Sequence, residues 1–288
     1  MDKITHQLAE YSSSAKFDDL THEAVHAATQ RLIDSIGCAT GAHDCEPAQI
    51  GRRLSAGEVP GKYPGRVLCF GDRLPAEAAT FINSAMIRNF DFNDRYPGGH
   101  PSDCLGALLA LAGAMKVEGK DFLTSMIVVY EIFARLSDAT TLSRRGWDQG
   151  YAIGIATAAG VCNLLKLSIG ATANAIGIAA TSSLPLRVTR SGELSSWKNV
   201  ATAYAARNGL FAALLAAEGM SGPGNAFDGR NGLWERVTGP FELALFPQRK
   251  RGIPDTESSV KILAHRDQRA SCRMGGARAP FEGEPKRL

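Results

Sequence analysis

Nine stretches of this chain carry apolar residues at helical spacing, and the breaks between them are marked by glycine, proline or clustered polar residues. Such a pattern buries its apolar faces by stacking helices on one another. The stretches cover residues 4–11, 20–40, 47–54, 76–90, 105–115, 121–136, 152–165, 172–181 and 198–219. Alanine and glycine are abundant and aromatic residues make up only 7%, which favours closely packed helices over a β-sandwich. One run differs. Arg66-Val-Leu-Cys-Phe70 lies between Pro64-Gly65 and Gly71-Asp72 and reads as a short strand between turns. Pro75 then opens a helix where proline is tolerated. The predicted architecture is mainly α, with a large helical-bundle domain over residues 1–246. Residues 247–288 are predicted to hold the start of a second unit and an irregular tail. From residue 264 the chain is polar, basic and rich in glycine and proline, a composition that buries no face and is expected to be disordered.

Several function classes are excluded at this level. The net charge is only +3 and no Lys/Arg stripe alternates with aromatics, so no nucleic-acid partner is expected. The six cysteines form no CxxC pair and read as reduced thiols. The first residues lack an apolar signal region. The apolar stretches near residues 105–115 and 151–165 are too short or too rich in glycine and alanine to span a bilayer. A soluble cytoplasmic protein with no membrane partner is expected. His22-Glu-Ala-Val-His26 matches the H-E-x-x-H pattern of zinc peptidases. Here Val25, Ala28, Leu32 and Ile36 define the expected buried stripe, which leaves His22 and Glu23 toward solvent, and no metal is expected. Neither a phosphate-binding GK[ST] loop nor a Gly-x-Ser-x-Gly elbow is present.

Three polar interruptions carry the chemistry. The first is Met86-Ile-Arg-Asn-Phe-Asp-Phe-Asn-Asp-Arg-Tyr-Pro-Gly-Gly-His-Pro-Ser-Asp-Cys-Leu-Gly106, which sets Asp91, Arg95 and His100 on a kinked connection between apolar helices. The second is Gly146-Trp-Asp-Gln149. The third is Gly192-Glu-Leu-Ser-Ser-Trp-Lys198, with Arg187 and Arg190 just upstream. Lys198 stands near a helix start, where a cation opposes the helix dipole, so its placement argues for a purpose. Together the three supply carboxylates, an imidazole, an ammonium and guanidinium groups. Such a set binds a polycarboxylate and moves protons on carbon beside a carboxylate.

These residues also carry a family resemblance. Ala85-Met-Ile-Arg-Asn-Phe-Asp-Phe-Asn-Asp94, Gly99-His-Pro-Ser-Asp103, Arg145-Gly-Trp-Asp-Gln149 and Leu194-Ser-Ser-Trp-Lys-Asn199 resemble, in order and spacing, the motifs of the MmgE/PrpD family. The likeness runs from the N-terminus to about residue 263. It implies a large helical domain joined to a smaller α+β domain, usually in a homodimer, with the active site between the two. It implies activity on small di- or tricarboxylates without metal or cofactor: 2-methylcitrate dehydration first, with cis-aconitate decarboxylation and iminodisuccinate epimerisation as family alternatives. By resemblance the catalytic residues are Asp91, His100, Lys198 and Asp148, and the substrate-binding residues are Arg95, Arg187, Gln149 and Lys261. Which residue is acid and which is base stays open. Arg95 stands where many members carry threonine, and Asp148 or Gln149 where the decarboxylase branch uses a histidine. Beyond Lys261 the likeness stops, and residues 264–288 have the texture of a shifted reading frame. A helical domain without catalytic activity is therefore the rival expectation.

Overall fold

Small residues decide how closely the helices of this chain approach one another. The computed structural model describes residues 1–140, 142–244 and 246. Nine α-helices appear among the described residues: α1 (Lys3–Ser14), α2 (His22–Gly41), α3 (Glu46–Leu54), α4 (Ala76–Arg88), α5 (Leu105–Met115), α6 (Gly119–Thr140), α7 (Gly150–Leu164), α8 (Ile169–Ser182) and α9 (Ala201–Ala217). Helix α7 is the centre. Only Asn163 among its residues is not buried, so it is covered on every side rather than along a stripe. It packs against α1, α6, α8 and α9, while α4 packs against α2, α3, α5 and α9. Glycines set the contacts. A Cβ on Gly209 would fall inside the carbonyl oxygen of Gly154, and one on Gly106 would meet the backbone and hydroxyl of Ser84. The start of the chain is tied down by Asp2. Its Oδ1 accepts from the Thr5 amide at 2.7 Å, and its Oδ2 from the Phe227 amide at 2.9 Å, which joins α1 to the segment after α9.

The structure bears out a mainly helical fold and corrects three local expectations. The run 66–70 is not a strand along its length. Strands β1 (Pro64–Arg66) and β2 (Arg73–Pro75) pair antiparallel, with Gly65 opposite Leu74, and residues 67–72 form the turn between them. The Asn83 side chain on α4 takes the backbone here: its Oδ1 accepts from the Leu68 amide at 2.9 Å and its Nδ2 donates to the Arg66 carbonyl at 3.0 Å. Those bonds compete with a longer ladder. The buried face of α2 is Ala24, Ala27, Ala28, Ser35, Cys38 and Ala39, whereas Ile33 and Ile36 are exposed. The small face permits a close approach to α4 and α6, and the two isoleucines are turned outward. The long helix expected from residue 198 begins instead at Ala201, after a 3₁₀ turn over Ser196–Asn199.

His22, Glu23 and His26 are exposed, and no group of side chains that could hold a metal occurs among the described residues. No described helix is long and apolar enough to cross a membrane. Of the cysteines, Cys38, Cys45, Cys69, Cys104 and Cys162 are free thiols, and Cys272 lies outside the described residues. The unit expected over residues 247–288 lies outside them as well.

The α7–α9 contact gives a direct test. Gly209→Ala forces a methyl against backbone, and such overpacking destabilises by about 2 kcal/mol. The thermal midpoint is expected to fall by roughly 4–8 °C. An unchanged midpoint by calorimetry would contradict the close approach of these two helices.

Candidate functional site

The three polar interruptions meet at one end of the bundle. They enclose a cavity of about 560 Å³ lined by Arg88, Asp91, Arg95, Gly98, Gly99, His100, Ser143, Asp148, Gln149, Arg187, Arg190 and Lys198. Every expected site residue among the described ones lies on this wall. Lys261 is outside the described residues.

The first wall leaves the C-terminal end of α4. Asp91 follows in a left-handed conformation at φ +59°, rare for a residue with a Cβ. The chain then doubles back: the Tyr96 amide donates to the Gly99 carbonyl at 2.8 Å and the Gly99 amide to the Tyr96 carbonyl at 2.9 Å. Gly98 fits this turn because its φ is +103°. The Asp94 carboxylate accepts from the Ser102 amide at 3.1 Å and closes the loop onto a 3₁₀ turn, Pro101–Cys104.

The second and third walls are stitched to each other. Trp147 pairs with Leu186 in an isolated antiparallel bridge; the Asp148 amide donates to the Pro185 carbonyl, and the Arg187 amide to the Gly146 carbonyl, each at 2.8 Å. The Asp148 side chain is fully buried against Arg190, whose Nε lies 2.5 Å from Oδ2. Its Oδ1 accepts from the Gly150 amide at 3.0 Å, at the start of α7. Arg190 also donates to the Lys198 carbonyl at 3.4 Å, which sets the 3₁₀ turn that carries Lys198.

The first wall is held to the others through two residues. Gln149 Oε1 accepts from the His100 amide at 2.9 Å. A Cβ on Gly99 would occupy the place of that same oxygen, so glycine is required there. Lys198 Nζ donates to Asp91 Oδ2 at 3.3 Å, and His100 Nε2 lies 3.8 Å from Asp91 Oδ1. His100 Nδ1 is buried and has no hydrogen-bond partner among the described residues.

Sequence reasoning left Arg88 and Ser143 without a role and named Arg190 only as a guanidinium beside Arg187. Arg88 is 4% exposed, and its Nη1 lies 2.5 Å from Asp91 Oδ1. Its place in the last turn of a helix hid it, since cations are common there. The signal was its position directly after the apolar run Ala85-Met-Ile87 of a buried helix. The cavity therefore carries Arg88, Arg95, Arg187, Arg190 and Lys198 against Asp91 and Asp148. Burial works against the charged form of Asp91, yet Arg88, Lys198 and His100 outweigh it and hold the carboxyl below its ordinary value. Asp103, wholly buried behind Arg88, is pushed the other way: burial raises it, with Arg88 and His100 opposing.

The MmgE/PrpD N-terminal domain family matches residues 6–245, and the chain belongs to that family. A cis-aconitate decarboxylase-like protein (oryM) of Aspergillus oryzae is 31% identical over 240 residues, 78% of this chain and 49% of the relative. The mitochondrial 2-methylcitrate dehydratase of Yarrowia lipolytica is 30% identical over 243 residues, 77% and 45% of the two chains. The 2-methylcitrate dehydratase of Escherichia coli is 32% identical over 203 residues, 63% and 41%. The chain spans about half the length of the curated relatives it matches.

The two carboxyls titrate with opposite effects on stability. Asp91, held low, contributes stability that is present above the unfolded value of about 3.9 and is lost as pH falls through its folded value. Asp103, held high, penalises the fold increasingly as pH rises from about 3.9 toward its folded value. Asp91→Asn is expected to flatten the acid side of the stability curve, below about pH 4, and Asp103→Asn the decline above it. Urea midpoints across that range read both. The same change of slope in the two variants would contradict the assignment.

Proposed function

We propose, from membership of the chain in the MmgE/PrpD family, that this cavity binds a small tricarboxylate of the 2-methylcitrate type and eliminates water from it. The observation that carries the reading is the set of five cationic side chains around one His–Asp pair. Several carboxylates entering such a cavity find charge-assisted partners in Lys198, Arg187 and Arg95. The same cations stabilise the negative charge that develops when a proton leaves carbon beside a carboxylate.

In the elimination, a base takes the carbon-bound proton, the electron pair forms the double bond, and hydroxide leaves with a proton to become water. Asp91 is held in its charged form, which makes it a weak base and a poor proton donor. We therefore assign proton transfer to His100 and orientation of its ring to Asp91. Both oxygens of Asp148 are engaged by Arg190 and the Gly150 amide, so we read Asp148 as a brace of the wall rather than a proton carrier. Gln149 holds the backbone of His100. The reading requires no metal or cofactor, because the cations supply the electrostatic stabilisation.

Purified protein incubated with 2-methylcitrate is expected to produce the ultraviolet absorbance of an unsaturated acid. His100→Ala is expected to lower kcat by about 10²–10⁴-fold. Arg187→Ala is expected to raise KM by roughly ten- to hundred-fold, the worth of a charge-assisted hydrogen bond. Folded protein without turnover would sink the lyase reading, and binding without turnover would leave a carboxylate-binding domain. Release of carbon dioxide from cis-aconitate would favour the decarboxylase relatives' reaction.

A further inference from the structure

Arg88 is a buried cation whose contacts run in two directions. Toward the cavity, its Nη1 lies 2.5 Å from Asp91 Oδ1. Away from it, its Nε lies 3.7 Å from Asp103 Oδ2, and Nη1 donates to Asn93 Oδ1 at 3.4 Å. Asn93 joins that rear brace. Its Nδ2 donates to Asp103 Oδ1 and to Ser102 Oγ, both at 2.8 Å. Asp103 and Asn93 are themselves buried, at 0% and 4% exposure, so the brace has little room to move.

The geometry points to Arg88 as a positioning residue that fixes the Asp91 carboxylate toward His100 and Lys198. Two features of Asp91 make such a device necessary. Its backbone sits in the left-handed region, an uncommon conformation for a residue with a Cβ. Its side chain is nearly half exposed, so packing alone does not fix it. Three groups face the carboxylate: Arg88 from the end of α4, His100 from the loop and Lys198 from the 3₁₀ turn. Of these, Arg88 is the most buried and the one braced from behind. A planar guanidinium suits the task because Nη1 reaches Asp91 and Asn93 while Nε faces Asp103; an ammonium has no second nitrogen to divide between the two directions. The inference rests on the reading of Asp91 and His100 as an orienting and proton-transferring pair.

The test labels the aspartate side-chain carboxyls with ¹³C and follows the Asp91 resonance, assigned through Asp91→Asn, as a function of pH. Removal of a facing opposite charge raises a carboxyl's proton affinity by roughly tenfold or more. Arg88→Gln is expected to move the Asp91 midpoint upward by that amount, with Arg88→Lys between it and the unaltered protein. In turnover assays kcat is expected to fall more than KM rises. An unmoved Asp91 midpoint in folded Arg88→Gln would overturn the inference. A moved midpoint in a protein that turns over no tricarboxylate supports the positioning role while sinking the lyase reading. A second measurement leaves Arg88 in place in case its replacement does not fold. The Arg88 guanidinium protons are expected to exchange with water roughly tenfold faster in Asp91→Asn, as a lost charge-assisted bond implies. Unchanged exchange would overturn the inference.

Discussion

The buried Asp148 carboxylate is the interaction on which the rest of the site depends. A charge removed from water must be partnered or it destabilises the fold by several kcal/mol. Asp148 is 1% exposed, and its partners come from two directions: Arg190 from the segment before α9 and the amide of Gly150 from the start of α7. Satisfying one carboxylate therefore brings two distant stretches of chain together. Arg190 carries the tie further by donating to the Lys198 carbonyl. The position of the lysine in the cavity is a consequence of how a neighbouring aspartate is neutralised.

A second constraint follows from the excess of positive over negative groups around the cavity. Five cations and two carboxylates line one cavity, and each carboxylate is matched by an arginine at 2.5 Å. Cations gathered in one cavity repel one another. In an empty cavity that repulsion is unfavourable, and an anionic ligand relieves it. Sites of this kind are built at the expense of stability, and the buried helix α7, which starts directly after Asp148 and Gln149 of the cavity wall, gives the rigid support such a site needs.

The helices were legible because their apolar residues recur with the helical period over long stretches, as in residues 121–136. Where the reading went astray, a small or polar residue decided the outcome. On α2 the larger apolar side chains suggested one face, but alanines and a serine make the contact, since close approach excludes bulk. At residues 67–70 the apolar run suggested a strand, but the Asn83 side chain captured its backbone and made it a turn. Lys198 was placed in a helix because nothing local reveals that Arg190 holds its carbonyl. The residues that line the cavity were legible for a different reason: they are polar groups on segments that interrupt apolar helices. Arg88 was not, because it sits where an ordinary helix-terminal cation sits and its importance comes from partners up to fifteen residues away.

The run from Gly98 to His100 condenses the argument. Gly98 takes a backbone conformation that other residues avoid, which lets the loop reverse. Gly99 leaves the space that Gln149 fills. The Gln149 oxygen then accepts from the His100 amide, so the backbone of the histidine is set by one wall while its ring faces Asp91 on another. Pro101 donates no hydrogen bond and opens the following 3₁₀ turn, where a free amide would lack a partner. Each residue of Gly-Gly-His-Pro thus answers a separate steric or hydrogen-bonding requirement. A histidine whose backbone is fixed and whose ring faces a carboxylate keeps its place when a ligand enters, as the proton transfer proposed for it requires, because the efficiency of such transfer falls steeply with small displacements.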